Sequence, residues 1–230
     1  MSATLRFRCA HAAHPSRHGG GVTPIARHVH DPGTTPERIA AIAARQKGQI
    51  HARQLQAIGL AQSTIRARVR ARRLFESHPR VYRLGPDITD DGWRMAALLA
   101  VAGWGALSHW SAAELYRIGD RPGSQHHVVT TTRKRDVGDA LRVRRTRRQI
   151  RTRQIRGLRV VEPGRVLVDL AVDLSGRPLE RVVGQARFRR LIGDDGEEQV
   201  VARPPGHPGT ANLAPISAKD ALRRRTETTL

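Results

Sequence analysis

Cysteine, lysine, acidic residues and aromatic rings are all scarce in this chain, and each scarcity narrows what the protein can be. Its 230 residues hold one cysteine, Cys9, which excludes an internal disulfide and fits a reducing cytoplasm. Aromatic residues make up 3% of the sequence, too few for a row of rings stacking on the bases of a single strand. The longest nearly unbroken apolar run, "MAALLAVAGWGAL" at 95–107, has 13 residues. Spanning a bilayer takes roughly 18, so the run reads as one buried helix and no membrane contact is expected. The first twenty residues mix Arg, His, Pro and Gly without an apolar stretch, so no signal peptide is expected. Neither a phosphate-cradling glycine loop nor a Cys/His metal motif occurs, and no cofactor is expected.

What abounds is arginine. Lys+Arg number 41 against 20 Asp+Glu, a formal net charge of +21, and lysine occurs only at 47, 134 and 219. The codon bias of a GC-rich genome accounts for part of that total but not for its distribution. Residues 36–84 hold 11 basic and 2 acidic residues, and residues 133–156 again 11 and 2, so the remainder is close to neutral. Charge this local marks a surface for a polyanion, either nucleic acid or an acidic protein.

Residues 1–35 are rich in His, Gly, Pro and Ser and read as a disordered tail. His11, His14 and His18 have a spacing that could be written as a metal site, but they lack a scaffold and a fourth ligand. Order is expected to begin at "TTPERIAAIAARQKGQ", with Thr35 as N-cap, Pro36 at the first helical position and Ile39, Ile42 and Ala43 on the apolar face. "HARQLQAIGL" predicts a second short helix with Leu55 and Ile58 inward, and a third starts near Gln62. Phe75, Val81, Tyr82 and Leu84 then fall in two short strands around "SHPR". Three helices and a hairpin in this order predict a winged helix-turn-helix over 36–86.

The third helix carries the densest charge. At about 100° per residue, Ile65 and Val69 share one side, while Arg66, Arg70 and Arg73 fall within a neighbouring sector of roughly 60°. Gln62 and Ser63 stand at its start, where a recognition helix touches base edges. Arg80 and Arg83 flank the hairpin turn, placed to hold a backbone or a minor groove. No acid lies between Glu37 and Glu76 to pair these charges along a solvated helix.

Residues 88–192 read as a separate, small mixed α/β domain, giving an α+β protein overall. "DDGWRMAALLAVAG" and "LSHWSAAELYRIG" are expected helices, the second with Ser111 and Glu114 as a capping box. "QHHVVTTT" and "ALRVRRTR" have strand character, joined by a polar link. "GLRVVEPGRVLVDLAVDL" predicts a strand and then a helix with Pro163 in its first turn. "RPLERVVGQARFRRLI" predicts a final helix with Leu179, Val182, Val183 and Ala186 inward. Residues 193–230 are Pro/Gly-rich and expected to be flexible.

In this order the motifs resemble the AbiEi-type antitoxin family of type IV toxin–antitoxin systems. They are especially similar to its actinobacterial branch, where a winged helix-turn-helix and a middle domain precede a very-short-patch-repair-like endonuclease domain. The likeness rests on "ARQKGQIHARQLQAIGLAQSTIRARVRARRLFESHPRVYRLG", "MAALLAVAGWGALSHWSAAELYRI", "GLRVVEPGRVLVDLA" and "RPPGHPGTANL", and covers about 36–230. It implies binding of double-stranded DNA near the protein's own operon, with Gln62–Arg73 as the DNA helix and Phe75–Leu84 as the wing. In true antitoxins a further domain counteracts a nucleotidyltransferase-like toxin. Ala61 departs from the usual Ser or Thr N-cap, and Arg72 from a helix-ending glycine. The nuclease domain is also missing: 16 residues follow Ala214.

Catalytic groupings are weak. Asp194, Asp195, Glu197 and Glu198 lie in a glycine-containing loop without the flanking strands that a metal-dependent nuclease needs. Ser108, His109 and Ser111 are too close on one helix start to aim at one another, and His109 is expected to be packed or partly exposed. The second basic block has three readings: a further nucleic-acid contact, an exposed hairpin decorated by codon bias, or a face for an acidic toxin. The expectation is therefore a non-enzymatic, cytoplasmic DNA-binding regulator. A homodimer reading paired half-sites is compatible with it. The rival readings are a toxin-binding module without specific DNA binding and a remnant of an endonuclease.

Overall fold

The computed structural model describes residues 33–101, 105–132, 139–192 and 209–214, which form an α+β protein with two sheets. Cys9, the histidines at 11, 14 and 18, the acidic loop at 194–198 and residues 1–32 of the tail expected over 1–35 lie outside the described residues, while Thr35 already belongs to the first helix.

The first unit runs α1 (Thr35–Arg45), β1 (Gln49–His51), α2 (Ala52–Ala57), α3 (Gln62–Arg70), β2 (Phe75–His78) and β3 (Val81–Arg83). Helix α1 begins one residue earlier than expected. Thr34, not Thr35, is the N-cap, and Glu37 Oε2 reaches back to accept from Thr34 N at 2.7 Å. Ile39 and Ala43 are buried on its inner face. The chain then turns through Lys47 and Gly48, both left-handed at φ 54° and 82°.

Strand β1 is a finding that the pattern did not announce. All three of its residues are buried, so it has no alternation to read. It pairs antiparallel with β3, Ile50 opposite Tyr82, and makes the expected hairpin part of a three-stranded sheet of order β1-β3-β2. The sheet has two working faces. Ile50 and Tyr82 join Leu55, Ile65 and Leu74 in a core with α1–α3. Neighbouring Val81 points the other way into a second, larger core. On that side His78 meets the Trp93 ring edge-on, with centroids 6.0 Å apart.

The second unit comprises α4 (Asp90–Ala100), β4 (Gly105–Leu107), α5 (His109–Tyr116), β5 (His126–Thr130), β6 (Leu141–Arg145), β7 (Thr152–Ile155), β8 (Leu158–Val161), α6 (Pro163–Leu170) and α7 (Gly176–Phe188). Its sheet has the order β6-β5-β4-β8-β7. One expectation is corrected here. The apolar run 95–107 is not one helix: α4 ends at Ala100, and 105–107 is the central strand, apolar because it is covered on both faces. Strands β5 and β6, expected as two strands joined by a polar link, pair in parallel from His126↔Leu141 to Thr130↔Arg145.

Helix α4 is buried along most of its length because it touches strands of both sheets. Thr89 Oγ1 caps it by accepting from Gly92 N at 3.0 Å. Its one buried charge, Arg94, is held by Asp91 and by Glu114 of α5, each at 2.9 Å. The central strand has no room to spare: a Cβ on Gly105 would overlap Val101 Cγ2 and lie 2.7 Å from Val128 Cγ1. Gly105→Ala is therefore expected to lower unfolding stability by about 1–3 kcal/mol, read as a reduced denaturant midpoint at unchanged slope.

Part of the segment expected to be flexible is docked. Residues 209–214 form a short helical turn in which Leu213 is buried in the larger core, and Asn212 Nδ2 donates to Ala171 O at 2.7 Å. No helix among the described residues is long and apolar enough to cross a membrane.

Candidate nucleic-acid interface

Helix α3 is built to show one side. Ile65 is fully buried and Val69 half-buried, while Gln62, Ser63, Arg66 and Arg70 are exposed. Ala61 is the N-cap and supplies no side-chain oxygen, so the first turn leaves its amides to solvent or to a ligand. The side chain of Gln62 is steadied from α2, with its Oε1 accepting from Gln56 Nε2 at 3.3 Å.

The helix ends earlier than its charge pattern implies. Arg70 is its last residue, and Arg72 adopts the left-handed conformation at φ 52°. Arg72 N donates to Val69 O at 3.0 Å and Arg73 N to Arg68 O at 2.8 Å, the paired bonds of a Schellman ending. Arg73 thus leaves the helix and does not share a sector with Arg66 and Arg70. It is exposed at the turn into Leu74, whose burial fixes the exit. An L-residue in this region costs about 1 kcal/mol that glycine avoids. Arg72→Gly is expected to raise stability by up to that amount, about 2–4 °C in melting temperature.

The hairpin supplies the second part of the interface. Its turn carries Pro79 and the exposed, left-handed Arg80 (φ 68°), whose amide donates to Glu76 Oε1 at 3.2 Å. Tyr82 lies behind the turn. Burial foremost, and then Glu76, raises its phenol above the usual range, while Arg80 and Arg66 pull it back. The arginine of the helix and the arginine of the turn thus act electrostatically on one phenol.

Arg83 belongs to a different group. Its Nε donates to Pro86 O at 3.1 Å and one Nη to Glu76 O at 3.2 Å, and its guanidinium lies 5.3 Å over the Phe75 ring. It fastens the base of the hairpin instead of standing free. In contrast, Arg66, Arg70, Arg73 and Arg80 make no side-chain hydrogen bond or ion pair among the described residues.

A buried polar cluster lies in the second unit, and its sequence signals are Ser108, His109 and Ser111 together with the doubled histidine "QHH". His109 is 1% exposed and stands at φ 47°, where α5 begins. Its Nδ1 is 3.3 Å from Ser108 Oγ and 3.7 Å from Asp169 Oδ2, and its ring centroid lies 5.3 Å from that of His127. Burial, then Arg144, drives the His109 pKa down to about 2. The ring is therefore neutral, and the Asp169 charge is met by Arg165 Nε at 2.7 Å. Ser111 caps nothing: its Oγ accepts from His127 N at 2.9 Å, and Glu114 pairs with Arg94. With Ser108, His109 and Asp169 all at 1% exposure or less, these groups do not meet solvent. Among the described residues no group of three or more His, Cys, Asp or Glu side chains is placed to hold a metal ion.

No protein-family model matches the chain, and no curated protein matches it significantly.

Proposed function

We propose that the protein is a DNA-binding transcriptional regulator of antitoxin type, with a winged helix-turn-helix over 36–86 and a mixed α/β domain over 88–192. The element order α1-β1-α2-α3-β2-β3 and the sheet order β1-β3-β2 support the winged reading. The observation that carries the function is the pair Arg66 and Arg70. Both are exposed and unpartnered among the described residues, on a helix braced from behind by Ile65. Arg80, on the turn between β2 and β3, is exposed as well.

In this reading α3 enters the major groove, Gln62 and Ser63 read base edges, and Arg66 and Arg70 contact guanine edges or phosphates. Arg73 and Arg80 hold the backbone on either side. Arg83 keeps the hairpin in shape and leaves the contact set proposed from sequence. The resemblance to AbiEi-type antitoxins makes the protein's own operon the natural site, and the second unit the natural place for a toxin to dock.

The test is selection from a random duplex library with the full chain. The expected result is an enriched motif bound at least 1,000-fold (roughly) more tightly than random duplex. A library that emerges without a preferred sequence overturns the reading.

A further inference from the structure

The second arginine block has an unusual path. Strand β6 ends at one edge of the five-stranded sheet and β7 begins at the opposite edge, so residues 146–151 ("TRRQIR") must cross its whole width. The registers Gly105↔Thr130↔Arg145 and Leu107↔Val160, with Thr152↔Val161, put the start and finish at opposite ends of the strands as well. Four strand spacings and three residues of rise make a diagonal of about 21 Å. Seven backbone steps reach about 24 Å when fully drawn out. The crossing, a strap, therefore has little length to spare, and it bends at Arg147 and Arg148, where Arg148 N donates to Thr146 Oγ1 at 3.2 Å.

The strap is held at three places. Thr146 N donates to Thr130 O at 2.9 Å, Arg151 O accepts from Glu162 N at 3.2 Å, and Ile150 packs against the larger core. Everything long and charged on it faces out: Arg147, Arg148 and Arg151 are exposed, as are Arg145 and Arg153 at its ends. No acid lies between Asp139 and Glu162 in the sequence. These five arginines make no side-chain hydrogen bond or ion pair among the described residues. Nearby arginines that serve the fold are different. Arg144 meets Asp173 at 3.7 Å and Arg156 meets Asp91 at 3.4 Å.

Charges on edge strands discourage sheet-to-sheet pairing, and that accounts for Arg145 and Arg153. It does not account for Arg147, Arg148 and Arg151, which lie outside any strand. The chemistry of the strap selects its partner. A protein interface needs a buried apolar or aromatic centre, and the strap's one apolar side chain, Ile150, is turned inward. A single strand would need rings to stack on, and 146–151 has none. What remains is a group of exposed cations on a short surface crossing, suited to a duplex that carries one phosphate per about 3.4 Å on each strand.

We propose that the strap 146–151, with Arg145 and Arg153 at its ends, is a second phosphate-binding surface that holds duplex DNA without regard to sequence. It depends on the gene-control reading only for the choice of DNA as the duplex.

The experiment uses the full chain, titrated with a random 30-base-pair (roughly two strap lengths or more) DNA duplex, the same duplex as RNA, and polyglutamate, each across a salt series. Arg147→Ala, Arg148→Ala and Arg151→Ala are introduced together, beside a version with lysine at all three positions. The alanine protein is expected to bind random DNA about 10- to 100-fold more weakly, with a salt slope shallower by about 2.7. Lysine is expected to restore most of the affinity, since a backbone contact reads charge. The selected duplex should lose by the same factor, leaving sequence discrimination intact. Unchanged affinity and slope in the alanine protein would overturn the proposal. So would a loss confined to RNA or polyglutamate, or a lysine protein as weak as the alanine one. Failure of the gene-control reading looks different: Arg66→Ala with Arg70→Ala would leave discrimination untouched while the strap's effect on random DNA persisted.

Discussion

Replacing Arg66 and Arg70 together by alanine is expected to weaken binding to the selected duplex by about 30- to 1,000-fold. The salt slope of that binding should fall by about 2, because two cations no longer displace counterions. Unfolding stability should stay within about 0.5 kcal/mol of the parent, since both side chains are exposed and unpartnered among the described residues. Ile65→Ala is the informative contrast. Ile65 is fully buried behind the same helix, so its truncation should cost about 2–5 kcal/mol of stability. A helix that merely displayed charge to water would give the opposite record, with affinity and slope unmoved by the arginine changes. Measuring both quantities on both proteins separates loss of contact from loss of fold.

Acidification below about pH 6.5 is expected to destabilise the protein. Burial, reinforced by neighbouring arginines, holds His109, His126 and His127 down to about 2, 3 and 4. In the unfolded chain each returns to about 6.5. Between those values the unfolded chain binds protons that the native chain refuses. Stability is thus fully present above about pH 6.5 and declines as the pH falls toward 4. At pH 5.5 the loss amounts to about 1.4 kcal/mol per histidine, or up to about 4 for the three together. That is a large share of a typical total of about 5–15 kcal/mol. Denaturant midpoints at pH 7.5 and 5.5 measure it, and a midpoint that is flat or rises on acidification contradicts the burial described here.

Long periodic elements were legible in the amino-acid order because burial repeats along them. Leu179, Val182, Val183 and Ala186 were assigned inward, and all four are buried on α7. Helix α3 was found from Ile65 and its arginines. The three-residue strands β1 and β4 were not, because every residue in each is buried and two faces cannot be told apart in so short a run. Strand β7 fails for the opposite reason: none of its four residues is fully buried. The parallel pairing of β5 and β6 is set by contacts distant in sequence, which no local pattern carries. Within the candidate interface, the charge pattern puts Arg73 on the helix, but the helix ends on an arginine where a glycine usually marks the stop. Arg83 reads as outward in the sequence because its partners, Pro86 O, Glu76 O and the Phe75 ring, come together only after the hairpin closes.

The adjacent residues Val81 and Tyr82 serve two different interiors, and this limits how the protein can be taken apart. One thin ribbon acts as a party wall, so neither compartment is weatherproof without the other. Residues 33–86 are therefore not a portable unit. A graft onto another protein has to bring Trp93 and the rest of α4 with it, and any force applied to the ribbon passes directly into the larger body.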